Sequence, residues 1–321
     1  MARFVAARLA HAIVVCFLVT TVAFLLVHLA PGDPFSFDNP RITDAVRAQW
    51  RAQFGYDRPL SEQYLRYLGS VARGRFGYSH SLHVPVGEAL GAAIPRTLLL
   101  MGSALTLSFV LGIWLGVFEA RHRGSARARF ANTASLLVYS TPNFWIALVL
   151  LLAFAYWIPV FPAGGMVDTV MHDFMPPGRA LVDRLRHLLL PLIALTLVAT
   201  AALARFQRAS LLEALPLEFV RTARAKGLDE GGVIRRHALR NALLPMITLA
   251  GLSFPALLGG AVFVEKIFAW PGMGLLVTNA IGTRDYPLVL AAAQLAAFMA
   301  VLGSFVADVA YGVADPRIRV R

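Results

Sequence analysis

Apolar residues run along this chain in long uninterrupted stretches, separated by shorter segments that hold most of the arginines. Six stretches are apolar enough to cross a bilayer: Leu9–Ala30, Thr97–Phe118, Ala134–Ile158, Leu188–Phe206, Leu243–Val264 and Leu288–Gly312. Each holds about 20 residues, and at about 1.5 Å per residue a helix of that length covers about 30 Å of hydrocarbon. The pattern predicts an all-α integral membrane protein with about six transmembrane helices. Arg3 and Arg8 before the first stretch give it the look of a signal peptide. Its apolar core is too long for one, and Pro31-Gly32-Asp33-Pro34 follows in place of a small-residue cleavage site, so it reads as an uncleaved anchor.

Between the first two stretches the period changes. Residues Ile42–Phe54 and Ser61–Arg73 read as short amphipathic helices joined by the turn Gly55-Tyr56-Asp57-Arg58-Pro59. Orientation follows from the short loops, because Lys and Arg accumulate on the cytoplasmic side. Arg121, Arg123, Arg127 and Arg129 follow the second stretch. Arg205, Arg208, Arg221, Arg224, Lys226, Arg235, Arg236 and Arg240 lie between or beside the fourth and fifth, and Arg317, Arg319 and Arg321 close the chain. A six-span chain puts all of these on one side together with the N-terminus. Both termini are therefore expected in the cytoplasm, with residues 41–80 forming an external helical cap. The eight arginines of residues 31–96 do not weigh against this, since long segments translocate largely regardless of charge.

Of the 321 residues, 58% are hydrophobic and 15% charged, with a mean hydropathy of +0.64. A water-facing surface on a chain this size needs more charge. The formal charge of +12 would suit nucleic acid, but its carriers sit in loops between apolar runs, so nucleic acid is excluded as a partner and lipid takes its place. Cys16 is the only cysteine and lies in an apolar run, where it reads as a small buried hydrophobe. No G-x-x-x-x-G-K-[ST] is present to cradle phosphates, and no HExxH, GxSxG or metal-spaced cluster, so no catalytic or metal-binding residue is expected. Apart from Asp308 the spans carry almost no ionisable group. An ion-coupled carrier would be expected to show a midplane carboxylate or a broken helix, so secondary transport is disfavoured.

The segment 207–243 holds the most local information. Pro216 and Glu218 start a helix, while Lys226 and Gly227 stop it, a cation at the C-terminal end and then a residue able to take positive φ. Leu215, Phe219 and Ala223 recur every four residues as an apolar stripe, with Arg221 and Arg224 off it. Asp229 is placed to cap a second helix through Val233, Ile234 and His237 towards Leu244-Pro245. Such a segment either rests on lipid headgroups or presents its stripe to a partner's groove. Elsewhere, Gly112 and Gly116 suggest close helix packing within one subunit. Ser140, Asn143 and Ser253 are candidate pathway residues. Met166, Met171, His172 and Met175 read as a solvated loop in preference to soft metal ligands.

The stretch Glu218–Thr248, EFVRTARAKGLDEGGVIRRHALRNALLPMIT, closely resembles the cytoplasmic loop of binding-protein-dependent ABC importer permeases of the peptide and nickel branch. LVHLAPGDP (Leu26–Pro34), YDRPLSEQYLRYL (Tyr56–Leu68), GGAVFVEKIFAWPGMGLL (Gly259–Leu276), RDYP (Arg284–Pro287) and DPRIR (Asp315–Arg319) agree with that branch in order and spacing. The resemblance implies a permease core in residues 96–321, preceded by an added span and cap in 1–95, in a bacterial inner membrane. It implies a second homologous permease subunit, two ATPase subunits that bind the ATP and Mg, and an extracytoplasmic substrate-binding protein. It also implies a coupling helix at Glu218, Phe219, Arg221, Thr222, Ala223, Lys226 and Gly227 that docks on the ATPase; Arg221 stands where the wider superfamily has Glu. Cargo would be a di- or oligopeptide, with nickel chelate, glutathione or a saccharide as alternatives within the same architecture. A scaffold or receptor without transport of its own is the remaining class.

Overall fold

The computed structural model of the chain describes residues 2–29, 43–259 and 261–314. The motif ends at Ala30–Pro34 and Asp315–Arg319 lie outside the described residues, as does the side chain of Asp308. The chain is mostly helical. It opens with α1 (Ala2–Leu29), followed by two short helices, α2 (Asp44–Phe54) and α3 (Leu60–Ala72). These match the two amphipathic segments expected. Thr43 caps α2 through its side chain, and Gly55 ends it at φ 76°, a conformation that costs a residue with a Cβ. Strands β1 (Tyr78–Ser79) and β2 (Val84–Pro85) form a small antiparallel hairpin that leads into α4 (Val86–Arg121).

Helix α4 and its partner α7 (Pro177–Ala214) form the centre of the fold. With 36 and 38 residues they extend about 54 and 57 Å, well beyond a bilayer's hydrocarbon core. They approach closely because Gly112 and Gly116 have no side chain. A Cβ on Gly112 would lie 2.6 Å from that of Leu203, and one on Gly116 would lie 2.5 Å from the Ala204 carbonyl oxygen. The pair of glycines thus serves a seam within this chain, as expected.

Two expected spans are broken. In the third, α5 (Ala126–Ser140) and α6 (Asn143–Leu151), the latter continued by a π-helical turn to Trp157, meet at a 99° bend over Thr141-Pro142. Pro142 cannot donate to the helical ladder and pushes Thr141 into extended conformation. The segment between α7 and the fifth stretch contains α8 (Glu218–Ala225), α9 (Glu230–Val233), a π-helical turn and α10 (Leu239–Ala242). The fifth stretch itself divides into α11 (Leu244–Leu252), α12 (Phe254–Gly259) and α13 (Val262–Ile267). Next come α14 (Met273–Gly282) and α15 (Tyr286–Ala314). Among the described residues three helices are individually long and apolar enough to span a membrane, or four with the bent pair counted as one. The expectation that no helix would be broken is therefore corrected, and it no longer argues against ion-coupled transport.

Buried polar groups fasten these pieces. Glu265, fully buried, accepts from Thr97 Oγ1 (3.2 Å) and the Leu275 amide (3.0 Å), tying α13 to α4 and to the start of α14. Trp270 Nε1 donates to the Arg96 carbonyl (3.1 Å) in the same joint. Helix α3 is bound to α1 through Thr21 and Tyr64 (2.6 Å) and through His28 and Gln63 (3.2 Å). Cys16 is half-buried, more open than a core position. The seam yields a first test. Gly116→Leu is expected to force α4 off α7 at a cost of about 1–3 kcal/mol, read as a lower thermal midpoint of the purified protein. An unchanged midpoint would show that the seam is not close-packed.

Candidate functional site: the segment after α7

Helix α8 is set between two helix ends. Leu217, with extended backbone (φ −68°, ψ 150°), precedes it, and Gly227 at φ 82° ends it, where a left-handed residue was expected. Its inner face is Val220 and Ala223, with 0% and 3% exposure. They pack with Ala120 from the end of α4, Leu211 and Ala214 from the end of α7, and Val233, Ile234, Ala238 and Ala242 from the helices that follow. Asp229 caps α9, accepting from the Gly232 amide (3.1 Å), again as expected. Arg224 joins α8 to α9 by a two-pronged bond to Glu230, with Nη2 to Oε1 at 2.8 Å and Nε to Oε2 at 3.1 Å. That guanidinium holds the Glu230 carboxyl below the usual carboxylate range.

The expected stripe of Leu215, Phe219 and Ala223 needs correction. Leu215 lies in the turn before α8, half-buried against the cluster, Phe219 is 37% exposed, and Ala223 is buried. The helix begins too late to include Leu215, and its inner line is the i, i+3 pair Val220 and Ala223. Ala223 thus packs within this chain's own cluster. What α8 offers outward is Leu217, Phe219, Arg221, Thr222 and Lys226. Arg221 is held by Glu218 (2.8 Å), and Thr222 Oγ1 donates to the Glu218 carbonyl (2.9 Å).

Ser140, Asn143 and Ser253 are not joined by any hydrogen bond among the described residues. Each sits at a helix break: Ser140 and Asn143 flank the 99° bend, and Ser253 lies between α11 and α12 with its hydroxyl on the Leu249 carbonyl (2.7 Å). Asn143 Oδ1 is buried without a partner. In the segment before α7, His172 Nδ1 lies 2.7 Å from Asp183, which His187 Nδ1 also approaches at 3.2 Å. The histidine of that loop is thus bound into its own fold. Sequence reasoning missed Glu265 and Asp285, both fully buried. Each was the carboxylate inside a quoted motif, and only the fold shows what each one fastens.

With this geometry in place, the comparisons assign the class. Residues 108–320 match the family model described as the binding-protein-dependent transport system inner membrane component, and residues 1–100 match its N-terminal companion family. The chain belongs to this family of membrane transport subunits, and it is an inner-membrane protein. The oligopeptide transport system permease protein AppB of Bacillus subtilis is 37% identical over 320 residues, covering 99% of both chains. The di/tripeptide transport system permease protein DppB of Pseudomonas aeruginosa is 39% identical over 334 aligned positions, with the same coverage. A chain of the MetNI methionine ABC transporter, solved in inward facing conformations, is similar in fold with a TM-score of 0.52 at 18% identity, over 71% of this chain and 96% of that one. Transport systems of this family work with ATPase and substrate-binding partners.

The burial of α8 sets a test within the chain itself. Ala223→Glu is expected to place an unpaired charge in the cluster and cost about 3–5 kcal/mol. Phe219→Asp, on the exposed face, is expected to leave the thermal midpoint within a degree or two of the parent. Equal midpoints for Ala223→Glu and the parent would contradict the burial.

Proposed function

We propose that the chain is the permease subunit of an ATP-driven importer of di- or oligopeptides, coupled to its ATPase through the outward face of α8. The observation that carries this reading is the division of α8. Its inner face is held by the ends of α4 and α7, while Leu217, Phe219, Arg221, Thr222 and Lys226 are left for a partner. A helix resting on headgroups would turn its whole apolar line outward, yet here Val220 and Ala223 face the chain's own core, and Leu217 and Phe219 are the apolar side chains left outward beside Arg221 and Lys226. Glu218 supports this face by holding Arg221, and Gly227 ends it. The identities to AppB and DppB support peptide as cargo; nickel chelate, glutathione or a saccharide would use the same architecture.

In this reading the complex holds a second homologous permease, two ATPase subunits that bind ATP and Mg, and an extracytoplasmic substrate-binding protein. The chain crosses the membrane six times with both termini cytoplasmic, residues 1–95 forming the first span and cap and 96–321 the core. Ser140, Asn143 and Ser253 line the pathway at the breaks of the third and fifth spans, where a backbone interruption is tolerated beside a water-filled path.

Two measurements test this. Phe219→Asp and Gly227→Val are expected to reduce co-purifying ATPase and ATP-dependent dipeptide uptake at least tenfold while the chain still inserts. Full ATPase retention and normal uptake in both variants would return α8 to the membrane surface. For orientation, cysteines at Ser61 and Thr169 in a Cys16→Ala background should react with an impermeant thiol reagent in intact cells, and one at Ser125 should not. Labelling at Ser125 before lysis would invert the topology.

A further inference from the structure

A cavity of about 300 Å³ lies between the end of α1, the α2–α3 region, the β1–β2 hairpin and the first turn of α15. Eight aromatic rings line it, among them Phe24, His28, Tyr56, Tyr67 and Tyr286. Phe24 and His28 stack on α1 (4.0 Å between centroids), and contacts between elements join Phe24 to Tyr67 (5.7 Å) and Tyr56 to Tyr286 (6.4 Å). An interfacial aromatic belt would point its rings out to the headgroups. Rings that converge on a cleft of this size match the lower end of small-ligand pockets, about 300–1,000 Å³.

Among the described residues, Arg66 and Arg75 line the cavity and no Asp or Glu does. Arg66 is paired with Glu62 at 3.0 Å, whereas the guanidinium of Arg75, an exposed residue, has no ion pair or hydrogen bond among the described residues. Tyr67 Oη is buried and likewise without a partner. Buried hydroxyls are usually satisfied, so an orphan in the wall of a cavity that an unpaired guanidinium also lines points to an absent acceptor. The walls are fixed in advance. Asp285 Oδ2 accepts from Ser79 Oγ (2.5 Å), Ser81 Oγ (2.7 Å) and the Ser81 amide (3.0 Å), which clamps the hairpin to the start of α15. Such preorganisation lowers the entropic cost of binding.

We propose that this cavity binds a small molecule with an aromatic or apolar body and a terminal carboxylate, the chemistry of the C-terminal residue of a short peptide. The body lies among the rings, and the carboxylate takes the Tyr67 hydroxyl and Arg75. The assignment rests on the peptide-importer reading, with the cavity on the side from which cargo arrives.

The test uses the assembled complex in phosphatidylcholine nanodiscs, titrated with N-acetylphenylalanine by calorimetry. Saturable binding is expected, weakened at least tenfold for N-acetylphenylalanine amide and at least tenfold by Arg75→Gln. Tyr67→Phe, which keeps the ring, is expected to weaken it severalfold, and all variants should elute and unfold as the parent does. Equal affinity for acid and amide, equal affinity of Arg75→Gln and parent, or no saturable binding would overturn the proposal. So would phosphatidylglycerol retained by the parent and lost in Arg75→Gln without N-acetylphenylalanine binding, since a lipid would then own the cavity. Failure of the importer reading is a separate outcome: binding as described, with no ATP-dependent peptide uptake by the parent.

Discussion

The contact between α4 and α7 is the constraint on which the other parts depend. Two glycines one helical turn apart let the α7 backbone come within reach of α4, so the two longest helices pack along a shared line. Apolar side chains offer little driving force between helices in lipid, and close backbone approach takes its place. Because both helices overshoot the hydrocarbon core, their ends stand clear of it. Ala120, Leu211 and Ala214 at those ends form the seat on which Val220 and Ala223 rest. The placement of α8 is thus a consequence of a contact made about one to three helical turns away.

A second group of fastenings works through buried carboxylates. Glu265 ties three elements at the joint of α13 and α14, and Asp285 holds the hairpin at the head of α15. Glu265 accepts through both oxygens, and Asp285 takes three donors on Oδ2, which offsets part of the desolvation that an isolated carboxylate would suffer. The fold therefore has one apolar seam through its middle and polar clamps at the places where the chain turns.

Much of this was legible in the residues. The apolar runs, the two amphipathic helices before α4 and the turn at Gly55 that joins them, the left-handed stop at Gly227 and the cap at Asp229 follow from local chemistry, which acts within a turn or two of chain. The broken spans were less legible. Thr141-Pro142 could be read as an adjustment at a helix start, and the residues alone do not give the 99° angle at which the two arms meet. The buried side of α8 was misread because Phe219 and Ala223 share a period of four, whereas the face that is covered depends on where α7 ends. The roles of Glu265 and Asp285 were hidden entirely: their partners Thr97 and Ser79 are 168 and 206 residues away.

The seating of α8 has a mechanical meaning. A short helix hung on flexible loops would absorb a displacement by bending its own tethers. Here the helix is anchored along its inner face to the tips of two parallel rods about 55 Å long, and the Arg224–Glu230 brace resists rotation about its axis. In the proposed importer a push on α8 would pass directly to the ends of α4 and α7, and their length would make them a lever. A small angular stroke at the base would then become a larger lateral movement at their far ends.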